Sequence, residues 1–157
     1  IDWKPFEYEN IIGNHSGIIA DLIDVISKKS GLKFEAVSTN NWAEAVEKVK
    51  TNEVQMYSAI PLDKQRSTYV DFTQKDILTY DAVLVGKQSY KECIKALKEC
   101  VENKTIAIVK NSSLGKKVKQ AYPSANYLEV VTTTDGIKSI LNEKADLFAI
   151  NSITADF

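Results

Sequence analysis

From residue 16 onward the chain alternates between two hydrophobic periods, and few architectures accommodate that order. Ile18, Ile19, Leu22, Ile23 and Ile26 recur at helical spacing, with Asp21, Asp24, Lys28 and Lys29 opposite and Gly31 placed to stop the helix. Residues 33–38 alternate polar and apolar, which predicts a strand. Asn40 or Asn41 is placed to cap a second helix over 42–52, with Trp42, Ala45, Val46 and Val49 on one face. A strand is predicted over 54–60, ended by Pro61. β-Prone stretches at 69–72 and 77–85 lead to a helix around 90–101. The second half repeats the order, with strands over 105–109, 127–131 and 147–150 and helices over 112–122 and 134–144. Strands separated by helices pair in parallel through right-handed crossovers, so the class is α/β, built on mostly parallel sheets flanked by helices.

A length of 157 residues allows one ordinary domain or two small lobes. Residues 1–85 hold 9 basic and 13 acidic side chains, net −4, while residues 86–157 hold 11 and 8, net +3. The asymmetry fits a first lobe over 1–84 and a second over 85–157, with a hinge strand near 77–87. One continuous sheet with an unevenly charged surface would give the same count. With 44% apolar residues the chain can bury a core, and a net charge of −1 leaves no electrostatic footprint for nucleic acid or an anionic membrane. No apolar run approaches the roughly 20 residues that cross a bilayer, so membrane contact is expected only through a fused segment or a partner. Residues 1–5 carry no signal-peptide pattern.

Chemistry-bearing residues are few. Cys93 and Cys100 match no metal-ligand spacing, and on one helix they would stand about 10.5 Å apart at 1.5 Å per residue, beyond the roughly 7 Å a disulfide spans. Buried, unbridged cysteines are therefore expected. His15 is the sole imidazole, in the polar loop 13–17, and an exposed loop histidine is its expected state. Residues 110–117 lack the first glycine of a phosphate loop and place Lys117 where Ser or Thr must bind magnesium, so that motif is rejected. No cofactor or metal is expected. Two features remain. The turn Asn111-Ser112-Ser113 leads from a strand into a helix, where free N–H groups and hydroxyls suit an anionic group but also serve as an ordinary cap. Arg66 sits beyond the end of a predicted strand, where open α/β sheets bind ligands, and its guanidinium can clamp a carboxylate; pairing with Asp63 or Asp71 is the simpler alternative.

Pro5-Phe6-Glu7-Tyr8, Gly17-Ile18-Ile19-Ala20-Asp21-Leu22, Trp42, and Arg66 followed by Phe72-Thr73 occur in an order that resembles the periplasmic solute-binding proteins of family 3, the polar-amino-acid class with a Venus-flytrap, type II fold. Asn111-Ser112-Ser113 is similar to that family's Gly-Ser-Thr turn, and Ala145-Asp146-Leu147 to its Asp-Ala strand start. The resemblance spans essentially the whole chain. It implies a small-molecule ligand held between two lobes that close by hinge bending, in a periplasmic or other extracytoplasmic setting. Carried over by position, Phe6, Tyr8 and Trp42 would wall the site, Ala59, Ile60 and Asp63 would line it, and Arg66 would take a carboxylate. Asn111, Ser112 and Ser113 would add donors. Core packing is an equal alternative for Trp42.

Two positions depart from the family pattern. Asp63 stands where amino-acid binders place Thr or Ser, and Asn151 replaces the carboxylate that holds a ligand ammonium. An organic acid is therefore as fitting a ligand as an amino acid. The opening motif, the Trp-led helix and the neutral Asn151 look more like fused sensor domains of signalling proteins than like free receptors of amino-acid ABC transporters or the few dehydratases of this fold. A dehydratase would need an acid/base pair, with Glu7, Asp63 and His15 the candidates, and no catalysis is expected. Members of the family are usually longer, so the resemblance also implies a fragment whose first lobe lacks its closing elements, or a lobe completed by a second copy of the chain.

Overall fold

A computed structural model describes residues 2–87, 89 and 97–157, and the chain parts between Thr79 and Tyr80. One unit is Ile1–Thr79 with Phe157, the other Tyr80–Asp156.

The first unit opens on three short antiparallel strands in the order β1-β2-β3, β1 being Asp2–Trp3, β2 Glu7–Glu9 and β3 His15–Ser16. The turn between β2 and β3 is set by Asn10, whose side-chain carbonyl accepts from the N–H groups of Ile12 and Asn14, both at 3.0 Å. Helix α1, Ile18–Ser30, follows directly. Gly17 makes this junction, with φ +110° and a Cβ position only 2.6 Å from the Phe6 carbonyl oxygen. That close approach lets the Ile18 and Ile19 N–H groups donate to the Pro5 and Phe6 carbonyls at 3.2 and 2.9 Å, so the strand satisfies donors that the helix start leaves open. Gly31 ends α1 in the left-handed region at φ +75°, as its position suggests. Helix α2, Trp42–Lys50, is capped by Asn41, whose side chain accepts from the Glu44 N–H at 3.0 Å.

The strands expected over 33–38 and 54–60 are not formed, and 69–72 is irregular as well. Alternating residues make a strand only when a neighbour supplies the hydrogen bonds, and among the described residues nothing pairs with these segments. The sheet of the first unit is therefore antiparallel rather than mostly parallel.

In the second unit the alternation does become a layered α/β structure. Its elements are β4 (Ala82–Gly86), α3 (Leu97–Val101), β5 (Thr105–Val109), α4 (Ser113–Ala121), β6 (Asn126–Val130), α5 (Thr133–Leu141), β7 (Leu147–Asn151) and α6 (Ser152–Asp156). The sheet order is β4-β7-β5-β6, with β5 parallel to both β6 and β7 and β4 antiparallel to β7. All five residues of β7 are buried, as its central place requires. Alternation divides the core into two layers. Ile106, Ile108, Leu147 and Ala149 pack with Val101 and Val118 on one side, and Ala107, Phe148 and Ile150 pack with Val130, Ile140 and Ala145 on the other.

β4 pairs with β7 from Ala82↔Asn151 to Gly86↔Leu147, which draws residues 82–84 into the second unit and moves the boundary ahead of the expected 84/85. Most of the helix expected around 90–101 lies outside the described residues, as does Cys93. Cys100, on α3, is disulfide-bonded, which corrects the expectation of an unbridged thiol. That expectation rested on placing both cysteines on one continuous helix, of which Leu97–Val101 lies within the described residues.

Candidate ligand-binding site

Arg66 opens a short 3₁₀ turn, Arg66–Thr68. Asp63 sets that turn: its carboxylate accepts from the Gln65 N–H at 2.8 Å and its carbonyl from the Ser67 N–H at 3.0 Å. The carboxylate expected to line a ligand is thus engaged in local backbone chemistry. Arg66 itself is only 7% exposed. Its Nη1 donates to the Pro61 carbonyl at 2.9 Å, and its guanidinium carbon lies 5.0 Å from the centre of the Trp42 ring. Trp42 is half-buried and also stacks on Tyr57, with centroids 5.4 Å apart and planes at 29°. Trp42 is therefore both a packing residue of α2 and the surface on which a cation rests. A guanidinium stays charged under these conditions, and its attraction to an arriving anion is stronger here than in open water.

Tyr57 was not anticipated as a site residue. Its hydroxyl is buried and has no hydrogen-bond partner. Burial pushes this phenol well above the usual tyrosine range, and the neighbouring Tyr69 adds to the shift without completing a hydrogen bond, while the Arg66 charge pulls the other way. Nothing in the spacing of residues 54–60 marks Tyr57; only its stacking on Trp42 does.

A second cluster surrounds Glu7, which is 5% exposed. His15 Nε2 lies 2.7 Å from Glu7 Oε1, and the Ser58 hydroxyl donates to the same oxygen. His15 is therefore a part-buried residue of β3 paired with an acid, not an exposed loop side chain. The pairing across β2 and β3 could not be read from a linear sequence with no visible hairpin. Ala59 and Ile60 follow Ser58, half-buried and outside any strand.

Phe6 does not wall a site. At 1% exposure it belongs to the core, tilted against Trp3 with centroids 4.6 Å apart. The Gly17 junction draws its backbone under α1 and its ring goes inside. Trp3 is the ring of this pair that keeps a partly exposed surface. Tyr8 is half-buried with Lys4 Nζ 5.3 Å over its ring.

In the second unit, Asn111 adopts φ +60°, the left-handed conformation that explains why an Asn can stand at a glycine position. The Ser112 hydroxyl accepts from the Gly115 N–H at 3.0 Å and so caps α4. Ser113 is buried in the first turn of α4. Asn151 is corrected as a ligand contact. It is 6% exposed, its side-chain carbonyl accepts from the Thr154 N–H at 2.8 Å, and its amide nitrogen donates to the Thr154 hydroxyl at 2.8 Å. An amide at the end of β7 is committed to capping α6 because the helix follows without a break. Among the described residues no group of His, Cys, Asp or Glu is arranged to hold a metal, and no helix is long and apolar enough to cross a membrane.

Comparison with known proteins identifies the family and the fold. The family profile described as bacterial extracellular solute-binding proteins, family 3, matches residues 1–144. The virulence sensor protein BvgS of Bordetella pertussis is 22% identical over 155 residues, which is 99% of this chain and 12% of that protein's length. Among solved structures, the ancestral amino acid-binding protein AncCDT-1, a precursor of cyclohexadienyl dehydratase, superposes with a TM-score of 0.89 at 20% identity, covering 99% of this chain and 69% of that one. The arginine-bound, truncated ArgBP of T. maritima gives 0.82 at 20% identity, covering 99% and 72%. The fold is therefore α/β of the two-lobed, periplasmic-binding-protein type II.

Proposed function

The chain belongs to the bacterial extracellular solute-binding proteins, family 3, and on that premise we propose that it captures a small polar ligand bearing a carboxylate, without chemically changing it. The observation that carries this reading is Arg66: a buried guanidinium resting on Trp42, with Nη1 donating to the Pro61 carbonyl. A carboxylate offers such a group two parallel, charge-assisted hydrogen bonds. The ligand class is an amino-acid-like molecule or an organic acid. Asn151, committed to its helix cap, supplies no charge for an ammonium group, which leaves the carboxylate as the common element.

The reading extends to setting. A disulfide at Cys100 suits an oxidising, extracytoplasmic compartment. The similarity to a virulence sensor protein over 99% of this chain supports a sensor input of a signalling protein; the discriminating observation is a transmembrane segment and signalling domain in the same gene, against neighbouring permease genes for a free transport receptor. Glu7 and His15 form an acid/base pair, but both are engaged in a cluster with Ser58. Turnover of a hydroxy acid by the purified protein would replace the binding reading with a dehydratase.

The direct test is a thermal-shift screen of the purified chain over amino acids, mono- and dicarboxylates and small amines. Carboxylates are expected to raise Tm and amines without a carboxylate to leave it unchanged. A shift with amines alone, or with nothing in the panel, contradicts the proposal.

A further inference from the structure

The two groups that rest on the Trp42 ring differ in how they are satisfied. Arg66 donates to the Pro61 carbonyl, whereas the Tyr57 hydroxyl, the buried side-chain polar atom left without a partner among the described residues, donates to nothing. A phenylalanine would make the same stack on Trp42, with centroids 5.4 Å apart, and would leave no orphaned hydroxyl. Keeping an unpaired polar atom inside a protein costs free energy, and the neighbouring Tyr69 does not complete a hydrogen bond to this hydroxyl, which leaves it to pair with an arriving group. Tyr57 and Arg66 share the Trp42 ring and the Arg66 charge acts on this phenol, which narrows what that partner is. A phenol donates one hydrogen bond, and an oxygen drawn to the cation is an acceptor.

We propose that Tyr57 is a specificity-determining residue of the Arg66 site, its hydroxyl donating to an anionic oxygen of the ligand as the guanidinium turns from the Pro61 carbonyl to that ligand. The inference rests on Arg66 being an anion anchor and adds a directional donor that neither Trp42 nor the guanidinium supplies. It also gives the site a reason to distinguish a carboxylate from a neutral amide: the amide has one acceptor oxygen to divide between Arg66 and Tyr57, and the carboxylate has two.

The experiment compares wild type with Tyr57→Phe by calorimetric titration with acetate, succinate and L-glutamate, using acetamide as the neutral control, and measures the unliganded Tm of both proteins. Tyr57→Phe is expected to keep or raise the unliganded Tm, to weaken carboxylate binding by about tenfold, as fits the loss of a hydrogen bond to a charged group, and to narrow the preference over acetamide. Retained carboxylate affinity in the variant overturns the role of Tyr57 while leaving Arg66 untouched. A lowered unliganded Tm overturns it as well, because the hydroxyl would then have a structural partner. If wild type binds none of the three carboxylates, the anion reading of Arg66 fails and this inference falls with it.

Discussion

Asn151 shows how one side chain can match a binding pattern and still be spent elsewhere. Its amide both accepts from the Thr154 N–H and donates to the Thr154 hydroxyl, each at 2.8 Å. Replacing it with Ala should cost about 0.5–2 kcal/mol of stability through the lost cap, while leaving ligand affinity within twofold; a denaturation midpoint and a titration on the same sample separate the two effects. A large loss of affinity at unchanged stability would return Asn151 to the site. At this scale the sequence was uneven as a guide. Arg66 could be singled out in the sequence for its charge and its place after Pro61, but its burial, at 7% exposure, could not, and neither could the absence of the strand expected before it. The burial of Phe6 was not legible, since it follows from the backbone approach at Gly17, which brings a helix start within 2.9 Å of the Phe6 carbonyl. Nor was the Glu7–His15–Ser58 cluster, which joins residues up to 51 positions apart.

Among the elements, those of the second unit followed their hydrophobic periods closely. β5 and β7 alternate between two helix-covered layers, so their side-chain pattern and their pairing carry the same information. The first unit departs because residues 33–38 and 54–60 have strand-like patterns but no described neighbour to pair with. Pattern specifies which face a strand buries; it cannot supply the strand beside it. One glycine tests the packing of the better-defined unit. A Cβ on Gly136 of α5 would lie 2.4 Å from ring carbons of Phe148, and that ring is fully buried in β7. Gly136→Ala gains helix propensity of up to about 1 kcal/mol, yet overpacking of this kind costs about 1–3 kcal/mol. The expected outcome is a lower urea midpoint with an unchanged slope. An unchanged or raised midpoint would show that α5 can move off the sheet at little cost.

For the whole molecule, the account joins a shared fold to a particular chemistry. The family profile covers residues 1–144, so the kind of molecule is established at the level of the family, while the chain spans 12% of the length of its BvgS relatives and their complete activities do not transfer with it. Among the described residues two charged side chains are buried: Glu7, held by His15 and Ser58, and Arg66, held on Trp42. The claim that Arg66 receives the ligand's carboxylate is tested most directly by titrating a carboxylate that stabilises wild type into Arg66→Ala and Arg66→Lys, with folding of each checked by circular dichroism. At 100 times Kd the ligand should stabilise wild type by about 2.7 kcal/mol. The account predicts that this stabilisation disappears in Arg66→Ala and is only partly kept in Arg66→Lys, where the charge remains but the planar fork is lost. Full ligand stabilisation of a folded Arg66→Ala protein would contradict it.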